Sequence, residues 1–235
     1  MSHIPHSPNY LLASLSASDF SLLRPHLQVV ELVQEVVLFA AGDSMTHVYF
    51  PHSGVISLVV SLAGGETVEV ASIGRDSIFG ALAALDGKIS LTDAIVQLPG
   101  TASILGISHL RFAAERSIAF RTTLMRHEQA LFAQAQQSAA CNACHAVEAR
   151  LARWLLRMRD LTGSDRLPIT QELLAHMIGV KRNSVSVVAH ALQQSGIIRY
   201  HRGHIEIANP EGLKEMCCEC YTAVKAQCER LLTED

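Results

Sequence analysis

The sequence predicts an α+β chain in three parts: a β-sandwich or barrel, a long helix, and a helical pair closed by a two-stranded wing. Three observations carry this. Residues 29–112 hold short β-rich runs between turn signals. Residues 113–145 contain neither Pro nor Gly and are rich in Ala, Leu, Gln, Glu and Arg. Residues 169–207 place apolar side chains at helical spacing twice, with Gly179 and Gly196 as breaks, then end in two strand-like runs.

Residues 1–28 read as a short leader and a small helix starting at Ser18-Asp19, with Phe20, Leu22, Leu23 and Leu27 as packing residues. The runs that follow are VVELVQEVVLF, HVYF, VISLVVSL, TVEVASI and AIVQLPGTASILGI. Gly42-Asp43, Gly64-Gly65 and Pro99-Gly100 are the turn candidates between them. Along the long helix, Phe120, Leu124, His127, Leu131, Gln134, Ser138 and Cys141 recur at alternating four- and three-residue steps. That is a heptad-like seam, suited to pairing with a second copy. The other reading is a helix that packs only on its own β domain.

In the last part, Thr170 can cap a helix carrying Leu173, Leu174, Met177 and Ile178 on one face. A second helix follows from Arg182 to Ser195, with Val185, Val188 and Leu192 inward. Rotation of about 100° per residue puts Asn183, Val187 and His190 nearly opposite that stripe and Ser186 at its flank. Arg182 sits in the first turn, where it can reach out over the helix end. An exposed end of this kind suits the DNA major groove. Arg pairs with guanine O6/N7, Asn with adenine N6/N7, Ser with several acceptors, and an aliphatic group meets a thymine methyl. Ile197–Tyr200 and His204–Ile207 would form the wing, placing His201, Arg202 and His204 against phosphates. A solvated helix hairpin is the alternative.

About half of the 235 residues are apolar and the formal net charge is −3. The charge is unevenly spread: −5 over residues 1–112, +1 over 113–143, +4 with five histidines over 144–208, and −3 over 209–235. The positive part is the part assigned to DNA, as phosphate neutralisation requires. The N-terminus lacks the pattern of a secretory signal and no apolar run is long enough for a membrane span, so a cytoplasmic protein is expected. No nucleophile elbow, phosphate loop, zinc-protease motif or convincing carboxylate pair occurs, so no enzymatic activity is expected.

All six cysteines fall after residue 140. Cys141-Asn142-Ala143-Cys144-His145 matches the C-x-x-C-H pattern of c-type haem attachment. Its place inside a helix and the missing export signal argue against haem. A metal would find Cys141, Cys144 and His145 on one side, but no evident fourth ligand. Cys217, Cys218, Cys220 and Cys228 are dense enough to raise a redox or metal role. Free thiols in a reducing compartment are the plainer reading, and no metal or cofactor is assigned.

Glu148–Ile207 resembles the DNA-binding half of the Crp/Fnr family of bacterial transcription regulators. The segments ITQE, IGV, KRNSV and SGII leading into the wing carry the resemblance. It implies residues 1–112 as a cyclic-nucleotide-binding-like sensor domain, 113–145 as a dimerisation helix, and 146–235 as a winged helix-turn-helix domain with a C-terminal helix. It further implies a homodimer on double-stranded DNA, with Thr170, Gln171, Lys181, Arg182, Asn183, Ser184, Ser186, Val187, His201, Arg202 and His204 as DNA-contacting residues. RNA polymerase enters as a partner on the same ground. Where many members have Arg-Glu-Thr-Val-x-Arg, this chain has Arg182-Asn183-Ser184-Val185-Ser186-Val187, so its operator should differ. The family's nucleotide site needs a carboxylate for the ribose and an arginine for the cyclic phosphate. Aligned over Ile78–Ala94, the carboxylate's place falls at Ala81 and the Arg-Ser pair's at Thr92 and Asp93, so neither group is present, while Gly80 and the small residues after it fit the family's helical insertion. Cyclic AMP and cyclic GMP are therefore not expected to bind in the usual way, and the effector is undefined. The family's iron–sulfur members carry an N-terminal cysteine cluster, which is absent from this sequence.

Overall fold

The computed structural model describes residues 7–87 and 89–233. It opens with α1 (Tyr10–Ser14) and α2 (Ala17–Leu23). Seven strands follow: β1 (Gln28–Leu32), β2 (Val37–Phe39), β3 (His47–Pro51), β4 (Val55–Ser61), β5 (Thr67–Ile73), β6 (Asp93–Leu98) and β7 (Gly100–Gly106). A short 3-10 turn at Ala81–Leu85 lies between β5 and β6. Next come α3 (Ile107–Arg116), α4 (Ile118–Cys144), α5 (Val147–Thr162), β8 (Arg166–Leu167), α6 (Gln171–Met177), α7 (Arg182–Gln194), β9 (Ile198–His201), β10 (His204–Ile207), α8 (Pro210–Glu215) and α9 (Cys220–Thr233).

The expected β domain is present as two sheets, in the orders β1-β7-β3 and β2-β6-β4-β5. β7 pairs antiparallel with β1 and β3, with Val29 opposite Ser103 and Val48 opposite Leu105. The run Val29–Phe39 splits into two strands because Glu35 turns the chain at φ 67. Gly42 and Gly65 supply positive φ at two of the expected turns. Val48 and Phe50 of β3, Leu105 of β7, Leu11, Leu12 and Leu23 of the N-terminal helices, and Phe120 and Leu124 of α4 share one buried core. The first helix is α1, in the stretch expected to be a leader; Asn9 caps it at Leu12 N and donates to the Pro51 and Ser77 carbonyls. The second starts from Ser16 rather than from Ser18.

Residues 113–145 are not one continuous helix. α3 ends at Arg116, Ser117 is extended (φ −127, ψ 111), and its hydroxyl accepts the Phe120 N–H at 3.0 Å. A serine that satisfies an orphan N–H starts a new helix without Pro or Gly.

The compact units also divide elsewhere than the expected borders. Residues 7–58, 72–132 and 229–233 form one, and Val59–Ala71 with Ala133–Cys228 form the other. Within the second, the Trp154 indole N–H donates to the buried Glu69 carboxylate at 2.9 Å. A buried carboxylate needs such a partner.

The expected dimer seam is turned inward. Phe120, Leu124, His127, Leu131, Gln134 and Ser138 are all buried by the chain itself. The heptad spacing was real, but it marked the face that packs at home. His127 shows the consequence: its Nδ1 meets the Ser77 hydroxyl at 3.1 Å, and burial lowers its pKa to about 4 against a weaker pull from Asp76. The unfolded imidazole titrates near 6.5. Between those values the unfolded chain binds the extra proton, so this contribution is full above about pH 6.5 and is lost as pH falls towards 4. We expect His127→Gln to remove up to about 3 kcal/mol of acid destabilisation between pH 7 and 4, read as the difference from wild type in urea unfolding. Parallel profiles for the two proteins would refute it.

Candidate nucleic-acid interface

The Thr170 hydroxyl accepts the Leu173 N–H at 3.2 Å and starts α6, as its sequence position suggested. Leu174, Ala175 and Met177 are buried beneath it. Gly179 reverses the chain at φ +62, and a Cβ there would lie 2.8 Å from Val68 Cγ2. Both backbone conformation and space exclude a larger residue. The Arg150 guanidinium of α5 donates to the Ile178 carbonyl and so ties down the same turn, a contact with no sequence signal.

On α7, Val185, Val188, Ala189 and Leu192 face inward and are buried. Lys181, Arg182 and Asn183 are exposed at the helix start, and Val187 is 71% exposed one turn on. These four make a continuous outward end, positive at the base and apolar beside it. Ser186 behaves differently. Its hydroxyl donates to Gln171 Oε1 at 2.7 Å and also reaches the Arg182 carbonyl at 3.2 Å. Ser186 and Gln171 therefore lock α6 to α7 in this state, and Ser184 is half-buried. His190 is bonded to Gln194 at 3.0 Å, one turn further along.

The wing pairs His201 with His204 and Ile198 with Ile207 around Arg202-Gly203, with Gly203 at φ +83. The two histidine rings stack at 4.9 Å, and Arg202 is exposed at the tip. The wing has three strands instead of the expected two. β8 joins β10 on the other side through Leu167–Ile205 and Arg166–Glu206. Two residues are too short a run to announce a strand in sequence.

The expected effector positions carry little ligand chemistry. Gly80 lies at φ +93 with Met45 and Val48 where its side chain would be, and Ala81 is fully buried. The Asp93 carboxylate accepts the Ala41 N–H at 2.9 Å. At the 3-10 turn, the Leu82 N–H is met by Glu128 of α4 at 3.2 Å. Burial raises that carboxyl to about 7, with the Leu82 bond opposing. A surface cleft of about 580 Å³, with His26, His47 and His109 in its lining, includes none of the four positions.

The cysteines fall into an arrangement the sequence did not suggest. Cys144 is exposed, whereas Cys141 is buried with Cys218 and Cys220. Cys141 Sγ lies 3.6 Å from Cys218 Sγ, and Cys220 Sγ lies 3.5 Å from His145 Nδ1. The C-x-x-C-H pattern is thus divided, with its second cysteine pointing elsewhere.

A β-sandwich, a long helix and a winged helix-turn-helix in one chain are the parts of a bacterial transcription regulator. Residues 29–117 match the cyclic nucleotide-binding domain, and residues 149–216 match the Crp-like helix-turn-helix domain. The chain belongs to the Crp/Fnr family of transcription regulators. It is 24% identical over 198 residues to the global nitrogen regulator of Synechococcus elongatus, covering 80% of this chain and 89% of that one. Its fold is similar to that of FixK2 from Bradyrhizobium japonicum, with TM-score 0.70 and 16% identity over 82% of this chain and 98% of that one. It is also similar to the c-di-GMP-responsive global regulator CLP of Xanthomonas campestris, with TM-score 0.64 and 14% identity over 82% and 99% of the two chains. Among the described residues, no helix is long and apolar enough to cross a membrane.

Proposed function

We propose that the protein is a homodimeric regulator that reads a near-palindromic operator through the exposed start of α7. The observation that carries this is the Lys181-Arg182-Asn183 end with Val187 beside it, presented on a helix pair braced by Ser186–Gln171 and Arg150–Ile178. Arg182 and Asn183 read base edges, Val187 meets a thymine methyl, and Arg202 with His201 and His204 holds phosphates. Thr170, Gln171, Lys181 and Ser184 flank the same surface and set its register.

The dimer uses a face of α4 rotated away from the buried seam. Ile118, Thr122, Met125, Gln129, Phe132 and Gln136 also recur at four- and three-residue steps, and all six are exposed. Ile118, Met125 and Phe132 stand 75%, 48% and 65% open. A row of large apolar groups at heptad spacing fits the same row on a second copy. Two subunits joined there would present two recognition helices for half-sites about 34 Å apart.

Regulation does not run through cyclic AMP or cyclic GMP in the usual way. Ala81 stands where a ribose carboxylate would be required and Thr92-Asp93 where the phosphate-binding Arg-Ser pair would be, and Glu128 already occupies the Leu82 N–H. An effector-independent regulator, controlled by its own abundance, fits this. Selection of bound sites from random duplex DNA by purified protein, without ligand, tests the whole reading. Recovery of a palindrome is expected. No enrichment with a folded dimer, either alone or after addition of cell extract, would overturn it.

The wing makes a separate prediction. Arg202→Ala should weaken binding to operator and random DNA alike and reduce the slope of log K against log salt by about 1. A loss confined to the operator would mean that Arg202 reads sequence.

A further inference from the structure

We propose that Cys141, His145, Cys218 and Cys220 form a closed four-ligand site for a divalent, thiophilic cation, with zinc the expected occupant. The four donor atoms, three sulfurs and one imidazole nitrogen, all lie within 4.8 Å of one another. Bond lengths of about 2.3 Å for Zn–S and 2.0–2.1 Å for Zn–N give tetrahedral edges of about 3.8 Å between sulfurs and about 3.5 Å between sulfur and nitrogen. The Cys141–Cys218 and Cys220–His145 separations are 3.6 and 3.5 Å. Three buried thiols alone could be small apolar packing groups. That would not account for an imidazole nitrogen aimed at one of the sulfurs.

The surroundings match a metal site as well. His145 Nε2 lies 3.3 Å from the Glu219 carboxylate, which orients the ring and leaves Nδ1 facing the sulfurs. A carboxylate behind a ligating histidine is the usual outer-shell arrangement. The Gln137 amide donates to Cys220 Sγ at 3.0 Å. The buried Nε of Arg153 has no hydrogen-bond partner among the described residues, and its charge acts on Cys141. Three thiolates and one dication carry a net charge of −1, which that guanidinium offsets. Binding would release up to three thiol protons to solvent and join the C-terminal end of α4 to α9. The site is thiolate-rich, with Cys141 and Cys220 buried and His145 half-buried, and four protein ligands fill a tetrahedral set, so its role is structural rather than catalytic. With Cys144 exposed and outside the cluster, the two ligands that Cys141 and His145 still need come from Cys218 and Cys220, more than seventy positions away.

Metal analysis of the full-length protein, purified under reducing conditions and dialysed, should find one zinc per chain. Cobalt(II) loaded in its place should show the visible bands of a tetrahedral thiolate complex, and added zinc should bleach them. Cys144→Ser and Cys228→Ser should keep full metal content, whereas Cys218→Ser and His145→Ala should lose most of it. The cobalt spectrum uses wild-type protein, so it stands even if a variant misfolds. The proposal is overturned if wild type takes up neither metal. It is also overturned by equal loss in Cys144→Ser, by iron or haem absorption, or by a Cys141–Cys218 disulfide in the fresh protein. Operator binding can be present or absent without affecting these readings.

Discussion

Phe132→Glu is expected to convert the protein from dimer to monomer and to lower operator affinity by at least about a hundredfold, because a half-site held by one subunit loses the benefit of the linked second contact. Phe132 is 65% exposed in the middle of the open α4 row, so a charge there costs the single chain little. In a dimer it would face its own copy and place two carboxylates in an apolar seam. Val29→Glu is the matched control, a 70% exposed apolar residue on β1 rather than on α4. It should leave the dimer intact. The buried seam should answer in the opposite way. Leu124→Ala removes a fully buried side chain and should cost about 2–5 kcal/mol of folding stability while leaving the dimer interface in place. Sedimentation and urea unfolding of the three variants separate the two faces. A dimeric Phe132→Glu protein would show that the subunits do not meet along this row.

Arg182→Ala is expected to produce the largest loss of sequence discrimination. The side chain is exposed at the first residue of α7, free to reach a base edge. A bidentate contact to guanine contributes about 1–3 kcal/mol. A palindrome repeats it, so the variant dimer should lose about 2–6 kcal/mol against operator and very little against random DNA. Selection with the variant should relax one symmetric pair of positions and leave the rest. Ser186→Ala is a useful contrast. Its hydroxyl is bonded to Gln171 rather than open to DNA, so its effect should be on stability of the helix pair, not on one base position. Equal losses of Arg182→Ala on operator and random DNA would make Arg182 a phosphate contact.

Much of this protein was legible in the sequence because its signals are local. The strand runs of the β domain, the Thr170 cap, the apolar stripe of α7 and the Arg202-Gly203 turn each depend on neighbours a few residues away. For such features, spacing and turn chemistry suffice. The family resemblance rests on the same local segments. The start of α2 at Ser16 was missed by a small margin, since neighbouring serines compete to cap and only packing selects one, whereas the break at Ser117 rests on a lone serine inside a helix-rich run.

What the sequence could not decide was which partner each face meets. Two interleaved heptad rows run along α4, and periodicity alone favoured the one containing Phe120, Leu124 and Leu131. The tertiary structure buries that row within the chain and leaves Ile118, Met125 and Phe132 open, because apolar spacing records that a face is covered but not by what. The same limit hid the ion-binding arrangement. Cys141 and His145 are near neighbours, but Cys218 and Cys220 reach them only once α8 and α9 fold back on the end of α4. Ligand geometry is a property of positions in space, and two pairs of residues separated by a whole folded segment have no spacing that a sequence can display.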